Sequence, residues 1–142
     1  MSDVAAMRAL WILVTAALLG STGVGLAAYA SHGLGFIADP AAREAARATL
    51  QQAVQQQLLH AVVLLALGVW ARQGAGRWLH LAALLITLGV LLFSGLIYLR
   101  TFTGVETFRP FVPWGGTSLM LGWLAIGMAA FCRKGGSPTS QQ

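Results

Sequence analysis

Charge punctuates this chain, and the stretches between charges are apolar. No Asp, Glu, Lys or Arg occurs between Arg8 and Asp39, Arg47 and Arg72, Arg77 and Arg100, or Arg109 and Arg133. A membrane-spanning helix needs about 20 mostly apolar residues. Each interval is long enough, which predicts four spans at about residues 10–29, 54–71, 78–99 and 113–132. Trp78 and Tyr98 stand like interface anchors at opposite ends of the third. Pro113 suits the first turn of the fourth, where its missing N–H is harmless.

The second interval differs from the others. Its clean apolar run, Leu58 to Ala71, is too short to cross a bilayer. Ala41 to Gln57 upstream contains no Gly or Pro and follows Asp39-Pro40, a helix start. Ala46, Leu50, Ala53, Val54, Gln57 and Ala61 follow helical spacing. The pattern predicts an amphipathic, partly interfacial helix between spans one and two that continues or bends into the membrane. Gln56 and Gln57 then enter the hydrocarbon and must face protein. The expected fold is an all-α membrane protein, a four-helix transmembrane bundle over residues 1–134. The small polar tail 135–142 reads as disordered.

Composition agrees with the pattern. The 142 residues are 57% hydrophobic and 9% charged, against about 25% charged in a soluble domain. The net charge of +5 comes from residues scattered singly or in pairs beside apolar runs. That distribution suits membrane flanks and excludes a nucleic-acid partner. Lys and Arg counts set the topology. Arg8, Arg72, Arg77, Arg133 and Lys134 fall on one side; Arg43, Arg47, Arg100 and Arg109 fall on the other. Both termini are expected in the cytoplasm. Arg8, the apolar stretch and Ala28-Tyr29-Ala30 also resemble a signal peptide. The stretch is long for one and holds Gly20, Gly23 and Gly25, so the first segment is expected to be retained.

Small residues mark helix contacts in lipid. The first span carries two such ridges, Ala17, Ser21, Gly25, Ala28 and Ala16, Gly20, Gly23, Ala27. The fourth carries Ser118, Gly122, Ala125 and Ala129, below Gly115 and Gly116. Candidate packing positions are therefore Gly20, Gly25, Gly115, Gly116, Ser118 and Gly122.

Polar groups inside spans are costly and often functional. His60 has Gln57 three residues before it on the same face. His80, Thr87, Ser94 and Tyr98 share a face of the third span. The loop Arg72–Arg77 makes spans two and three antiparallel neighbours, which brings Ser94 and Tyr98 to the level of His60. A polar cluster of Gln57, His60, Ser94 and Tyr98 is expected, with His60 hydrogen-bonded into it. His32, followed by a glycine, is a second candidate at a shaped turn. Cys132 alone makes no disulfide or zinc site. No phosphate loop, zinc pattern or nucleophile elbow occurs, and no carboxylate lies within a span. No catalytic residue, metal or cofactor is expected.

Four elements together resemble a known family. They are Ala28-Tyr29-Ala30-Ser31-His32-Gly33, Leu59-His60-Ala61, Leu92-Phe93-Ser94-Gly95 with Tyr98, and Val112-Pro113-Trp114-Gly115-Gly116 with Gly122-Trp123. The chain resembles small uncharacterised bacterial inner-membrane proteins of the YgdD type, over about residues 10 to 132. That family's first motif reads Gly-Ala-Phe-Gly-Ala-His; here Ala27, Ala30 and Ser31 keep the positions small and Tyr29 keeps an aromatic. The resemblance implies a multi-span inner-membrane protein with its first segment retained, and no activity. The expected function is a non-enzymatic structural or accessory membrane component. Its partners are the lipid bilayer and a membrane protein or second copy of itself. Two alternatives stay open. One is solute or proton permeation along His60, Gln57, Thr87 and Ser94. The other is a redox protein using His32 and His60 for haem or quinone.

Overall fold

The computed structural model describes residues 3–74 and 76–133. The tail expected to be disordered, 135–142, lies outside the described residues. Among the described residues five α-helices follow in order: α1 (Asp3–His32), α2 (Pro40–Arg72), α3 (Arg77–Val90), α4 (Leu96–Thr103) and α5 (Val112–Arg133). A π-helical turn, Leu91–Gly95, joins α3 to α4 in one continuous rod, and a 3-10 turn, Arg109–Phe111, leads into α5. Four rods are long and apolar enough to cross a membrane: Ala9–His32, Pro40–Arg72, Arg77–Thr103 and Arg109–Cys132.

Local chemistry sets the boundaries. Asp39 caps α2, its carboxylate accepting from Ala41 N at 3.1 Å and Ala42 N at 3.2 Å, and Pro40 occupies the first turn. The preceding turn is tied down by Arg43, whose guanidinium donates to Ile37 O at 2.6 and 2.9 Å. Gly104 ends α4 at φ +70°, its N–H bonding Arg100 O at 2.8 Å, a left-handed residue that glycine adopts without strain. Arg100 then pairs with Glu106 at 2.6 Å and folds the α4–α5 loop back onto the helix end. The amphipathic stretch before span two does not bend away: α2 is one helix of 33 residues.

The rods associate as two tight pairs, α1 with α2 and α3 with α5, joined along α2 and the α3–π–α4 rod. The main apolar core combines Ala9, Ile12 and Ala16 of α1 with Leu64 and Leu67 of α2, Leu79, Ala82, Ala83 and Ile86 of α3, and Leu119 and Ala125 of α5. A smaller core at the other end joins Ala30, Leu34 and Leu50, with Tyr29, Ala46 and Tyr98 against it. Outward faces are apolar as well. Leu59, Val62, Leu65 and Val69 of α2 and Met120, Leu124, Met128 and Phe131 of α5 are exposed. Such continuous apolar faces would be a liability in water and are what a helix turns to lipid.

Small residues set the close approaches, and three expected positions do not. A Cβ on Gly115 would stand 2.5 Å from Phe93 N, and one on Gly122 would stand 2.6 Å from Ile86 Cγ1. On α1 the contact ridge is the one with Ala16 and Gly23, both buried, whereas Ala17, Ser21, Gly25 and Ala28 are exposed. Gly20 and Gly25 have nothing within 4 Å of where a Cβ would be, and the same holds for Gly116. These three glycines are therefore not helix contacts. The phase of α1 turns Gly23 onto Leu58, and Gly68 of α2 receives Leu13 in return.

Candidate functional site

Among the described residues, four polar side chains inside the rods donate hydrogen bonds to a different rod. Each bond arises because hydrocarbon offers no water to a donor. Gln57, 3% exposed, donates to Leu19 O at 2.8 Å and to Thr22 Oγ1 at 2.9 Å, both on α1. Ser94 donates to Ala53 O of α2 at 2.7 Å. Ser118 of α5 donates to Leu85 O of α3 at 2.7 Å. Trp123 of α5 donates its indole N–H to His60 Nε2 at 3.3 Å. These contacts pin α2 to α1, the π turn to α2, α5 to α3, and α5 to α2.

His60 is the chemically richest of the set. Its Nδ1 lies 2.8 Å from Gln56 O. A carbonyl only accepts, so Nδ1 carries the proton; Nε2 must then be the acceptor for Trp123. The two bonds together select the neutral Nδ1–H tautomer. They also occupy both nitrogens, which leaves no lone pair free for a metal or haem iron. The rings meet edge to face, with centroids 6.3 Å apart at 71°. The indole needs an acceptor at this depth, and His60 is it.

The expected cluster of Gln57, His60, Ser94 and Tyr98 is not one network. His60 does not bond Ser94 or Tyr98. Although Ser94 does reach α2, it bonds the Ala53 carbonyl, almost two turns before His60. Tyr98 sits in the smaller core beside Leu34 and Leu50. The physical reason is rotational: successive helical positions fan out by about 100°. Gln57 and His60, three apart, diverge enough for one to meet α1 and the other α5. Thr87 bonds its own helix at Ala83 O, 2.8 Å away. Trp123 and Thr22 are the partners that sequence spacing missed. A tryptophan N–H in mid-span, with no acceptor on its own helix, was the available signal for the first.

His32 is exposed at the end of α1 and shares no contact with His60. Its neighbours explain the local motif. Tyr29 lies across Gly33, where any Cβ would collide with its ring, and meets Phe102 of α4 edge to face at 5.2 Å. Among the described residues no group of three or more His, Cys, Asp or Glu side chains could hold a metal ion.

Two of the motif elements meet in space. Gly115 lies on the backbone of the π turn, its added Cβ falling 2.9 Å from Gly89 O and Leu92 C as well as 2.5 Å from Phe93 N. The Phe-Ser-Gly element thus forms the seat and the Pro-x-Gly-Gly element the part that sits in it. A π turn inside an α-helix is uncommon and often marks a functional position.

Comparison with known proteins gives a consistent picture. The family described as Protein of unknown function (DUF423) matches residues 26–116. The UPF0382 membrane protein of Haemophilus influenzae is 29% identical over 129 residues, covering 86% of this chain and 94% of its own length. The UPF0382 inner membrane protein YgdD of Escherichia coli K12 is 26% identical over 131 residues, 91% of this chain and 97% of its own. The UPF0382 membrane protein YwdK of Bacillus subtilis is 28% identical over 120 residues, 83% and 94% respectively. No solved structure matches.

Proposed function

Because the chain belongs to the DUF423 family of proteins of unknown function, we propose from its geometry that it is a non-enzymatic accessory or structural component of the bacterial inner membrane. The observation that carries this reading is the use of His60. It is the one histidine buried in mid-span; its Nδ1 bonds the backbone of its own helix, and its Nε2 ties α2 to α5. Gln57, Ser94 and Ser118 are used in the same way. Polar residues that bond across helices in lipid act as glue and fix helix register.

The relatives' names place them in a membrane, for YgdD the inner one, and four apolar rods of this chain suit the same location. The basic residues after the last span, Arg133 and Lys134, favour cytoplasmic termini. A membrane-protein partner or a second copy is the expected associate.

Purification from native membranes in mild detergent tests the reading. The protein should be colourless, add no solute or proton flux to liposomes, and migrate in native electrophoresis as a complex above its own 14.9 kDa. A Soret band would overturn it in favour of redox chemistry. Flux abolished by His60→Leu would overturn it in favour of permeation.

A further inference from the structure

α2 and α5 do not pack along their length. α2 lies against α1, α5 lies against α3, and a cleft of about 390 Å³ stands open between α2 and α5. Among the described residues, one hydrogen bond joins α2 to α5, from the Trp123 indole to His60 Nε2. We propose that this bond is a proton-sensitive latch: a proton taken up at His60 Nε2 releases α5 from α2 and widens the cleft. The proposal rests on the structural reading of His60 given above and adds its regulation.

The chemistry of the two partners carries the argument. An indole N–H donates and never accepts. It can bond His60 only while Nε2 keeps its lone pair, because Nδ1–H is already committed to Gln56 O at 2.8 Å. A proton on Nε2 makes both ring nitrogens donors. Two N–H groups then face each other across the 3.3 Å that the bond now spans, and attraction turns to repulsion.

Nothing around the ring would hold its charged form in place. Gln56 and Leu59 of α2, Phe93 of the π turn, and Leu119, Met120 and Trp123 of α5 line the cleft with it, and none of them titrates. No Asp, Glu, Lys or Arg lies in the charge-free intervals of the four rods. His80 stands in the first turn of α3, and Tyr29 and Tyr98 pack in the smaller core. A cation buried without a counter-charge is costly, so the protonated ring turns out into the cleft. There is room for it, since a Cβ on Gly116 would meet nothing within 4 Å. The half-buried Gln56 amide offers it a carbonyl acceptor there.

The rest of the joint between the two helix pairs is indifferent to protons. Ser94 donates to Ala53 O at 2.7 Å, and Leu64 and Leu67 of α2 share an apolar core with Leu79 and Ile86 of α3. α5, carried by α3, therefore swings about this joint and does not detach.

A distance measurement across the cleft tests the latch. Nitroxides are placed at Val62→Cys on α2 and Leu124→Cys on α5, both exposed to lipid, in a Cys132→Ser background. Pulsed electron paramagnetic resonance in nanodiscs reads their separation from about pH 8 to about pH 5, the range in which histidine changes charge. The separation should lengthen on acidification. Trp123→Phe should show the long separation at every pH. His60→Gln, whose side-chain carbonyl can accept from the indole but takes up no proton, should show the short one throughout. His32→Gln and His80→Gln should leave the shift unchanged. A separation that ignores pH, while Trp123→Phe still lengthens it at the alkaline end, overturns the latch and spares the tie. A shift that survives in Trp123→Phe also overturns the latch. If Trp123→Phe matches the parent at the alkaline end, the tie itself falls and the latch with it.

Discussion

Gly115 and Phe93 touch through their backbones: a Cβ on Gly115 would lie 2.5 Å from Phe93 N. The π turn at Leu91–Gly95 shifts the rotational phase of the rod, so that Gly89 and Phe93 present backbone to α5 and Ser94 presents its hydroxyl to α2. One local irregularity thereby serves two helix contacts at once.

This contact predicts a sharp difference between adjacent glycines. Gly115→Ala should lower stability by about 1–3 kcal/mol, the usual cost of overpacking a tight contact, because the obstacle is backbone that cannot rotate aside. Gly116→Ala should be neutral or slightly stabilising. Equilibrium unfolding in detergent micelles checks the pair; equal effects would mean that α5 does not approach the π turn as described.

A second prediction concerns the middle of α5. Gly122 is buried against Ile86, whereas Leu121 is 49% exposed towards lipid. Gly122→Leu should lower the unfolding temperature clearly more than Leu121→Ala does. Equal, small shifts would place the Ser118–Gly122–Ala125 ridge on the lipid side.

Much of the fold could be read from charge spacing. Four charge-free intervals dictate four spans, and Asp39-Pro40 dictates where α2 begins. The contacts were less legible, for physical reasons. Small-residue ridges on α1 exist in duplicate, and only tertiary packing selects Ala16 and Gly23 over Ala17, Ser21 and Gly25. The π turn depends on the fit of Gly115 against it and has no periodicity signal of its own. For the candidate site, sequence spacing suggests that Gln57 and His60 need partners. It cannot tell that their side chains diverge to α1 and α5, nor that Trp123 meets His60 across 63 positions of chain.

Topology gives a third prediction. Reporter fusions at either end that are active only in the cytoplasm should both be active. The first five cytoplasmic-side charges, Arg8, Arg72, Arg77, Arg133 and Lys134, would then obey the positive-inside tendency. A reporter that is active only outside, fused to the N-terminus of a chain with its first span intact, would reverse the assignment.

Gln57 supplies a fourth prediction. It bonds α1 twice, while Gln55 is exposed on the same helix. Gln57→Leu should cost about 1–2 kcal/mol, near the upper range for interhelical hydrogen bonds in membranes, and Gln55→Leu should cost nothing. The readout is the population of unfolded chain in a denaturing-detergent titration. A Gln57→Leu variant as stable as the parent would show that α1 is held by apolar packing alone.

The account rests on His60 being a structural tie between α2 and α5, and a double-mutant cycle measures that tie directly. His60→Leu, Trp123→Phe and the double variant are unfolded reversibly in the same micelles. The structural role predicts non-additive losses, with a coupling of about 0.5–1.5 kcal/mol between the two positions. Strictly additive losses would contradict it, because they would mean that His60 and Trp123 do not depend on each other and that His60 is buried for another purpose.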